Sequence, residues 1–264
     1  MQELATRSFE EKVDFYNHLY LGKNTQIVAK DFYPNNLEEA YKIQAYILKK
    51  SDYDYQNFKL GGTNLATQKK FNVTDSYFGK IANKHCHQIQ KQHQVIDLKS
   101  GDEELSAELE IIIELSRDIS LSEKVGSQKI SELISSYTIG LEFPTNYIAN
   151  LEAVGVNGLV AENCAAGYLI CGELLSYKSN IFNLGDKFAI YQEDVLLSQG
   201  LYGNIIGGIE GTLIDFIRIA QLQNIALRKG SLIATGGITE CIKILSGKTI
   251  RLVSKVYEKS FKVI

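Results

Sequence analysis

Glu108 and Glu110 stand two positions apart in the segment SAELEIIIELSRD, residues 106–118, with Glu114 four positions further on. The apolar residues between them, Leu109, Ile111, Ile112, Ile113 and Leu115, are largely β-branched and predict a strand over 106–116. In an extended chain alternate side chains share a face, so all three carboxylates are expected on one side. Acids at i and i+2 lie roughly 7 Å apart at the backbone, close enough to repel in a partly buried setting. Two arrangements relieve that repulsion: solvation on an outer face, or a divalent cation held by hard oxygen ligands. The segment SYTIGLEFP, residues 136–144, adds one acid, Glu142, inside an apolar strand, where a carboxylate requires a partner. That partner is either a lysine or arginine, or the same cation. Three carboxylates on two neighbouring strands supply half an octahedron, which suits Mg2+ or Mn2+ and leaves positions for water and substrate.

Lys59 lies at the end of the short strand NFKLGG, just before Gly61 and Gly62. Glycines admit close approach of a ligand to the backbone, and an ammonium there can neutralise a developing oxyanion. A surface lysine is the plainer alternative. In ATGGITE, residues 234–240, a strand runs into Thr235, Gly236 and Gly237, whose backbone N–H groups can meet a carboxylate. The glycine-rich YGNIIGGIEG, 202–211, spells neither GxGxxG nor a P-loop and reads as an irregular loop. His85, Cys86, His87 and His93 are zinc-ligand types, but no second cluster at ligand spacing follows them, which favours a polar loop. No GxSxG is present, and covalent catalysis is not expected.

The elements that must position these groups follow from periodicity. FEEKVDFYNHLYLG repeats Phe9, Val13, Tyr16 and Tyr20 at helical spacing, and Asn35-Asn36 can cap a second helix, LEEAYKIQAYILKK. Beyond residue 56 strands dominate: 57–62, 94–99, 106–116, 137–143 and 231–237, with hairpins in KFAIYQEDVLLSQG, turning at Gln192–Asp194, and KTIRLVSKVYEKSFKVI. NLATQKKF, SQKISELISSY and TLIDFIRIAQLQN read as helices, the last with Thr212 and Asp215 at capping-box spacing. The pattern is α+β, a helical part over 1–55 and a β-rich part, mainly antiparallel, over 56–264 that together form one integrated unit.

The 264 residues are 45% hydrophobic, enough for a sizeable core, and carry a formal net charge of −3, which argues against a general nucleic-acid binder. No run of about 18 apolar residues predicts a membrane span. The opening MQELATRSFEEKVDFY lacks the apolar stretch of a signal peptide. Four cysteines without CxxC are expected as free thiols in a reducing cytoplasm.

In order along the chain, several segments resemble motifs of the 2-oxopent-4-enoate hydratase family, which includes 4-oxalocrotonate decarboxylases and belongs to the fumarylacetoacetate hydrolase superfamily. AYKIQ (40–44), FKLGGT (58–63), YFGKI (77–81), AELEIIIELSRDI (107–119), GLEF (140–143), VAENCAAG (160–167) and IALRKGSLIATGG (225–237) carry the resemblance, which runs from about Leu37 to the C-terminus. It implies a mixed, highly curved β-domain with a small helical N-terminal part. It makes Glu108, Glu110 and Glu142 ligands of Mg2+ or Mn2+, and Lys59 the active-site lysine. Gly61, Gly62, Asn163, Thr235 and Gly236 are then expected around a small 2-oxo acid, and a homo-oligomer is expected. The implied reaction is enolate chemistry, hydration first, with decarboxylation or another enolate reaction as the runner-up. Tyr77, Ala165, Gly208-Ile209-Glu210, Ser231 and Gly237 depart from polar positions of the family pattern. These departures imply a divergent member, and they leave open an altered reaction or a binding or partner subunit without catalysis.

Overall fold

The computed structural model describes residues 7–23 and 25–264. The expectation of a chain start without a signal peptide falls in part on residues 1–6, outside the described residues. Among the described residues, no helix is long and apolar enough to cross a membrane.

Helix α1 (Phe9–Gly22) opens on a capping box between Ser8 and Glu11. Helix α2 (Leu37–Lys50) is capped by Asn36, whose side chain accepts from the Glu39 N–H at 2.9 Å. Acidic residues in the first turn of α2 and lysines in its last turn complement the helix dipole. Lys12 is fully buried on α1, and its charge is offset by Glu39 at 3.1 Å. Three further helices follow: α3 (Leu65–Phe71), α4 (Leu151–Ala161) and α5 (Gly208–Leu222). α5 starts at Gly208 rather than Thr212, because the left-handed Gly207 caps it, and Thr212 donates back to the Gly208 carbonyl at 2.8 Å instead of capping.

Fourteen strands complete the described residues. They are β1 (Tyr55–Gly61), β2 (Tyr77–Ala82), β3 (Cys86–Gln88), β4 (Gln94–Ile96), β5 (Glu104–Leu115), β6 (Ile134–Phe143), β7 (Tyr168–Cys171), β8 (Leu175–Ser176), β9 (Lys187–Gln192), β10 (Val195–Leu201), β11 (Leu232–Ala234), β12 (Ile242–Leu245), β13 (Thr249–Ser254) and β14 (Glu258–Val263). The helix expected over 127–137 is a short 3-10 stretch, Ser127–Leu133, and β6 claims the rest because Ile134 to Tyr137 already pair with β5 and β8. The strand expected over 94–99 stops at Ile96, and Lys99 turns the chain with φ of 53°.

The larger sheet runs β2-β1-β11-β5-β6-β7-β3, with β12 added to β5 and β8 to β6; the smaller runs β10-β9-β13-β14-β4. The larger sheet curls into a half-barrel. One of its faces carries Phe58, Phe78, Leu109 and Ile111 into the main core, where Phe58 meets Phe216 of α5 at 4.9 Å and Phe78 stacks on Tyr41 of α2 at 4.9 Å. Strand register fixes the inner face. Gly61 pairs with Tyr77, Lys59 with Gly79 and Ala234, Ala234 with Ile112, Glu108 with Glu142, and Glu142 with Leu169. Across the middle of that face lies an apolar cluster of Ile81, Ile112, Leu169, Cys171 and Ala234. Acids and Lys59 lie on one side of it; on the other a hollow of about 350 Å³ opens, lined by Asn57, Cys86, Glu114 and Leu232 among others.

Asn163 draws the curl together. It sits just before β7, yet its side-chain oxygen accepts from the Lys80 N–H at 2.7 Å and its amide donates to the Lys80 carbonyl at 2.8 Å. The amide therefore substitutes for a strand along β2, at the opposite end of the sheet from β7. Three successive non-glycine residues, Asn163, Cys164 and Ala165, hold positive φ of 70°, 57° and 53° to make this reach. Gly79 admits the turn: a β-carbon there would stand 2.3 Å from the Asn163 carbonyl oxygen.

Candidate metal centre

Two strands bring the three acids together. Glu108 and Glu110 project from β5, and Glu142 from β6 stands directly opposite Glu108. One carboxylate oxygen from each lies within 4.8 Å of the other two. Glu110 and Glu142 are buried and Glu108 is half-buried. Like charges facing each other across a strand pair are destabilising, and burial amplifies the cost. The cross-strand partner of Glu110 is Gly140, where a β-carbon would meet the Ile112 methyl at 2.5 Å and the Ile170 carbonyl at 2.2 Å.

The surroundings compensate only in part. Glu110 accepts from the Gly236 N–H at 2.7 Å. Lys59 Nζ lies 3.4 Å from Glu142 Oε2, an ion pair without hydrogen-bond alignment, and both Glu142 oxygens are buried without a hydrogen-bond partner. Burial, then Glu142 and Glu108, raise Glu110 well above the usual carboxylate range, against the pull of Lys59. Burial also pushes Glu142 up to about 7, although Lys59 opposes the shift. For Lys59, burial works against the charge, but Glu142 and Glu108 outweigh it and hold the ammonium firmly protonated.

The other expected residues sort themselves by contact. Gly61 and Gly62 lie beneath the ring of Tyr77, on the same inner face as Lys59. Gly236, with φ of 101°, leaves no room for a β-carbon beside Thr63 and gives its N–H to Glu110. The Thr235 hydroxyl donates to the Ile111 carbonyl at 2.9 Å and ties this loop to β5. The Asn163 amide is committed to the Lys80 backbone and to Tyr20, so the structure gives it a scaffolding task rather than a place at the acids. Glu114 shares the face of Glu108 but lies beyond the apolar cluster, where it accepts from Ser135 at 2.9 Å and Ser136 at 2.6 Å. His85 and His87 pack against Tyr168, and Cys86 accepts from Asn57 at 3.2 Å.

Two residues at the acids have roles that the sequence does not disclose. Gly237, read there as a backbone donor, is one: a β-carbon there would stand 2.5 Å from Glu108 Oε2, so the glycine makes room for the carboxylate. Cys241, an exposed thiol, is the other: desolvation, then the charges of Glu108 and Glu142, push it up to about 12.

The residues present fit a hard dication. Every converging donor is a carboxylate oxygen, and the two oxygens of Glu142 are buried without hydrogen bonds. Three ionised acids against the single ammonium of Lys59 leave two negative charges, which a divalent ion balances. Among the described residues, this triad is the one group of three or more such donors that converges.

No protein-family model and no curated protein sequence matches the chain. Solved structures do. The 4-oxalocrotonate decarboxylase from Pseudomonas putida, complexed with magnesium and adipate, superposes with a TM-score of 0.83 over 98% of this chain and 100% of its own, at 15% identity. Fumarylpyruvate hydrolase from Pseudomonas aeruginosa, in complex with Mn2+ and pyruvate, gives 0.60 over 81% of this chain and 93% of its own, at 12% identity. A 5-carboxymethyl-2-hydroxymuconate delta-isomerase from Mycobacterium smegmatis gives 0.53 over 80% of this chain and 79% of its own, at 14% identity. The chain thus has the α+β fold of these structures, over 98% of its length in the case of the decarboxylase.

Proposed function

We propose that this protein is a divalent-metal-dependent enzyme acting on a small 2-oxo acid through an enolate, most consistent with a hydro-lyase of the 2-hydroxydienoate type. One observation carries the reading: three carboxylates converge around the buried, unpartnered oxygens of Glu142, with Lys59 at 3.4 Å. Magnesium with adipate in the decarboxylase, and Mn2+ with pyruvate in the hydrolase, support it by fold likeness. When bound, Mg2+ or Mn2+ supplies Lewis-acid polarisation of the carboxylate and keto oxygens of a 2-oxo acid.

The chain's own groups do the rest. Glu108, Glu110 and Glu142 hold the ion. Gly236, through its N–H, and Gly237, through its missing side chain, aim two of those acids. Lys59, held protonated, stabilises negative charge developing on the substrate oxygen. In hydration a proton moves to the terminal carbon, water adds across the remaining double bond, and a 4-hydroxy-2-oxo acid results. Decarboxylation is the second reading, favoured by the full-length likeness to a decarboxylase. There a carbon–carboxylate bond breaks, CO2 leaves, and the electron pair stays in the enolate. A homo-oligomeric assembly belongs to the same proposal.

The test uses thermal unfolding with Mn2+ and with oxalate, a mimic of the 2-oxo acid head. Both should raise the melting temperature of the parent protein, because each binds the folded form. Glu108→Gln and Glu110→Gln should abolish the ion-dependent shift, whereas Glu114→Gln should keep it. Absence of any shift in the parent, or loss of it in all three variants alike, rejects the site. A shift without consumption of any 2-oxo acid or release of CO2 favours a binding role without catalysis.

A further inference from the structure

We infer that the Tyr77 hydroxyl is a substrate-facing hydrogen-bond donor beside Lys59, directed at an oxygen of the bound 2-oxo acid. The inference rests on the 2-oxo acid reading above and adds a residue to it. Tyr77 opens β2 opposite Gly61, which is the next inward-facing position of β1 after Lys59. Its ring takes the space a side chain on Gly61 would need: a β-carbon there would stand 2.3 Å from Cε2, 2.5 Å from Cζ and 2.8 Å from the hydroxyl oxygen. The ring edge also lies 3.3 Å from the corresponding point on Gly62, whose φ of 72° suits glycine. Phe71 meets the ring edge to face at 6.4 Å. The side chain is 3% exposed, so the phenol is held in one place.

Two neighbouring donors on this side of the apolar cluster are engaged: the Gly236 N–H is given to Glu110 and the Thr235 hydroxyl to Ile111. The Lys59 ammonium is drawn to Glu142. The Tyr77 hydroxyl has no hydrogen bond within the described residues, although Lys59 and Glu108 both bear on its charge state. Burial keeps the phenol protonated at neutral pH, so it has a hydrogen to give. A neutral donor next to an ammonium suits an anionic oxygen, because it adds a hydrogen bond without adding a charge to a site already balanced by an ion.

Tyr77→Phe tests this, since it keeps the ring over Gly61 and removes only the hydroxyl. Calorimetric titration of Mn2+ should give the same affinity for variant and parent within about twofold. Titration of oxalate into the Mn2+-loaded proteins should show a loss of about tenfold or more in the variant, as expected for a hydrogen bond to a charged group. Oxalate should also perturb the near-ultraviolet tyrosine spectrum of the parent in a way absent from the variant. Equal oxalate affinities overturn the inference and leave the metal reading intact. A variant that binds Mn2+ less well also overturns it, since Tyr77 would then merely brace the acids. A parent protein that binds Mn2+ but no oxalate defeats the 2-oxo acid reading itself.

Discussion

Replacing Glu142 by glutamine should stabilise the ion-free protein above neutral pH, the reverse of the usual penalty for altering a buried residue. Glu142 is fully buried, lacks hydrogen-bond partners and faces Glu108 directly across the strand pair. Burial pushes its carboxyl up from 4.5 to about 7, with Glu108 adding to the shift and Lys59 resisting it. The folded form therefore holds this proton to higher pH than the unfolded chain does. Stability from this group is complete below about 4.5 and is lost as pH rises through about 7. Each pK unit corresponds to about 1.4 kcal/mol, so the loss across the window is about 3 kcal/mol. Glutamine removes the titration but leaves a buried amide with imperfect partners and a Lys59 ammonium without its nearest counter-charge, which together cost about 2 kcal/mol. The net gain of about 1 kcal/mol should appear as a rise of about 3 °C in melting temperature for a chain of this size. Thermal melts in chelator between pH 4.5 and 8 measure it. Glu110, raised for similar reasons, leaves some slope in both proteins, so the difference between the two curves isolates Glu142. Saturating Mn2+ should then invert the order, adding about 2.7 kcal/mol to the parent at a hundredfold excess over Kd and little to the variant. Parallel curves in chelator, or a parent whose stability is flat over that range, would refute the reasoning.

Two other substitutions probe the scaffold. Gly237→Ala places a methyl 2.5 Å from Glu108 Oε2 and should weaken Mn2+ binding by about tenfold or more in a calorimetric titration, with an unchanged affinity counting against the placement of Glu108. Asn163→Ala removes both bonds to the Lys80 backbone and should cost about 2–4 kcal/mol in urea unfolding; a loss below about 0.5 kcal/mol would show that the amide does not hold β2.

Much of this site is legible in the sequence because it depends on local chemistry. Carboxylates at i and i+2 of a β-branched segment must share a face, and a lone acid in an apolar strand must find a partner. α1 and α2 are equally readable, since apolar period and capping residue agree at each start. What the residues alone do not disclose is long-range. The pairing of Glu108 with Glu142 depends on a register between strands separated by an irregular loop and a 3-10 turn. Glu114 satisfies the same alternation as the other two acids but stands beyond the apolar cluster, a distinction created by the curl of the sheet. Asn163 belongs to a motif that pointed to substrate, while its three-residue left-handed turn, invisible to spacing, swings the amide to β2. At α5 a glycine in the left-handed region outcompetes a side-chain cap five residues later, because backbone conformation decides where the first turn closes.

The cluster of Ile81, Ile112, Leu169, Cys171 and Ala234 makes the half-barrel a cul-de-sac. The hollow lined by Asn57, Cys86 and Glu114 is thereby a chamber apart from the three acids. The greasy wall parts the three acids from Glu114, so one alternation of carboxylates along a single strand serves two separate surroundings.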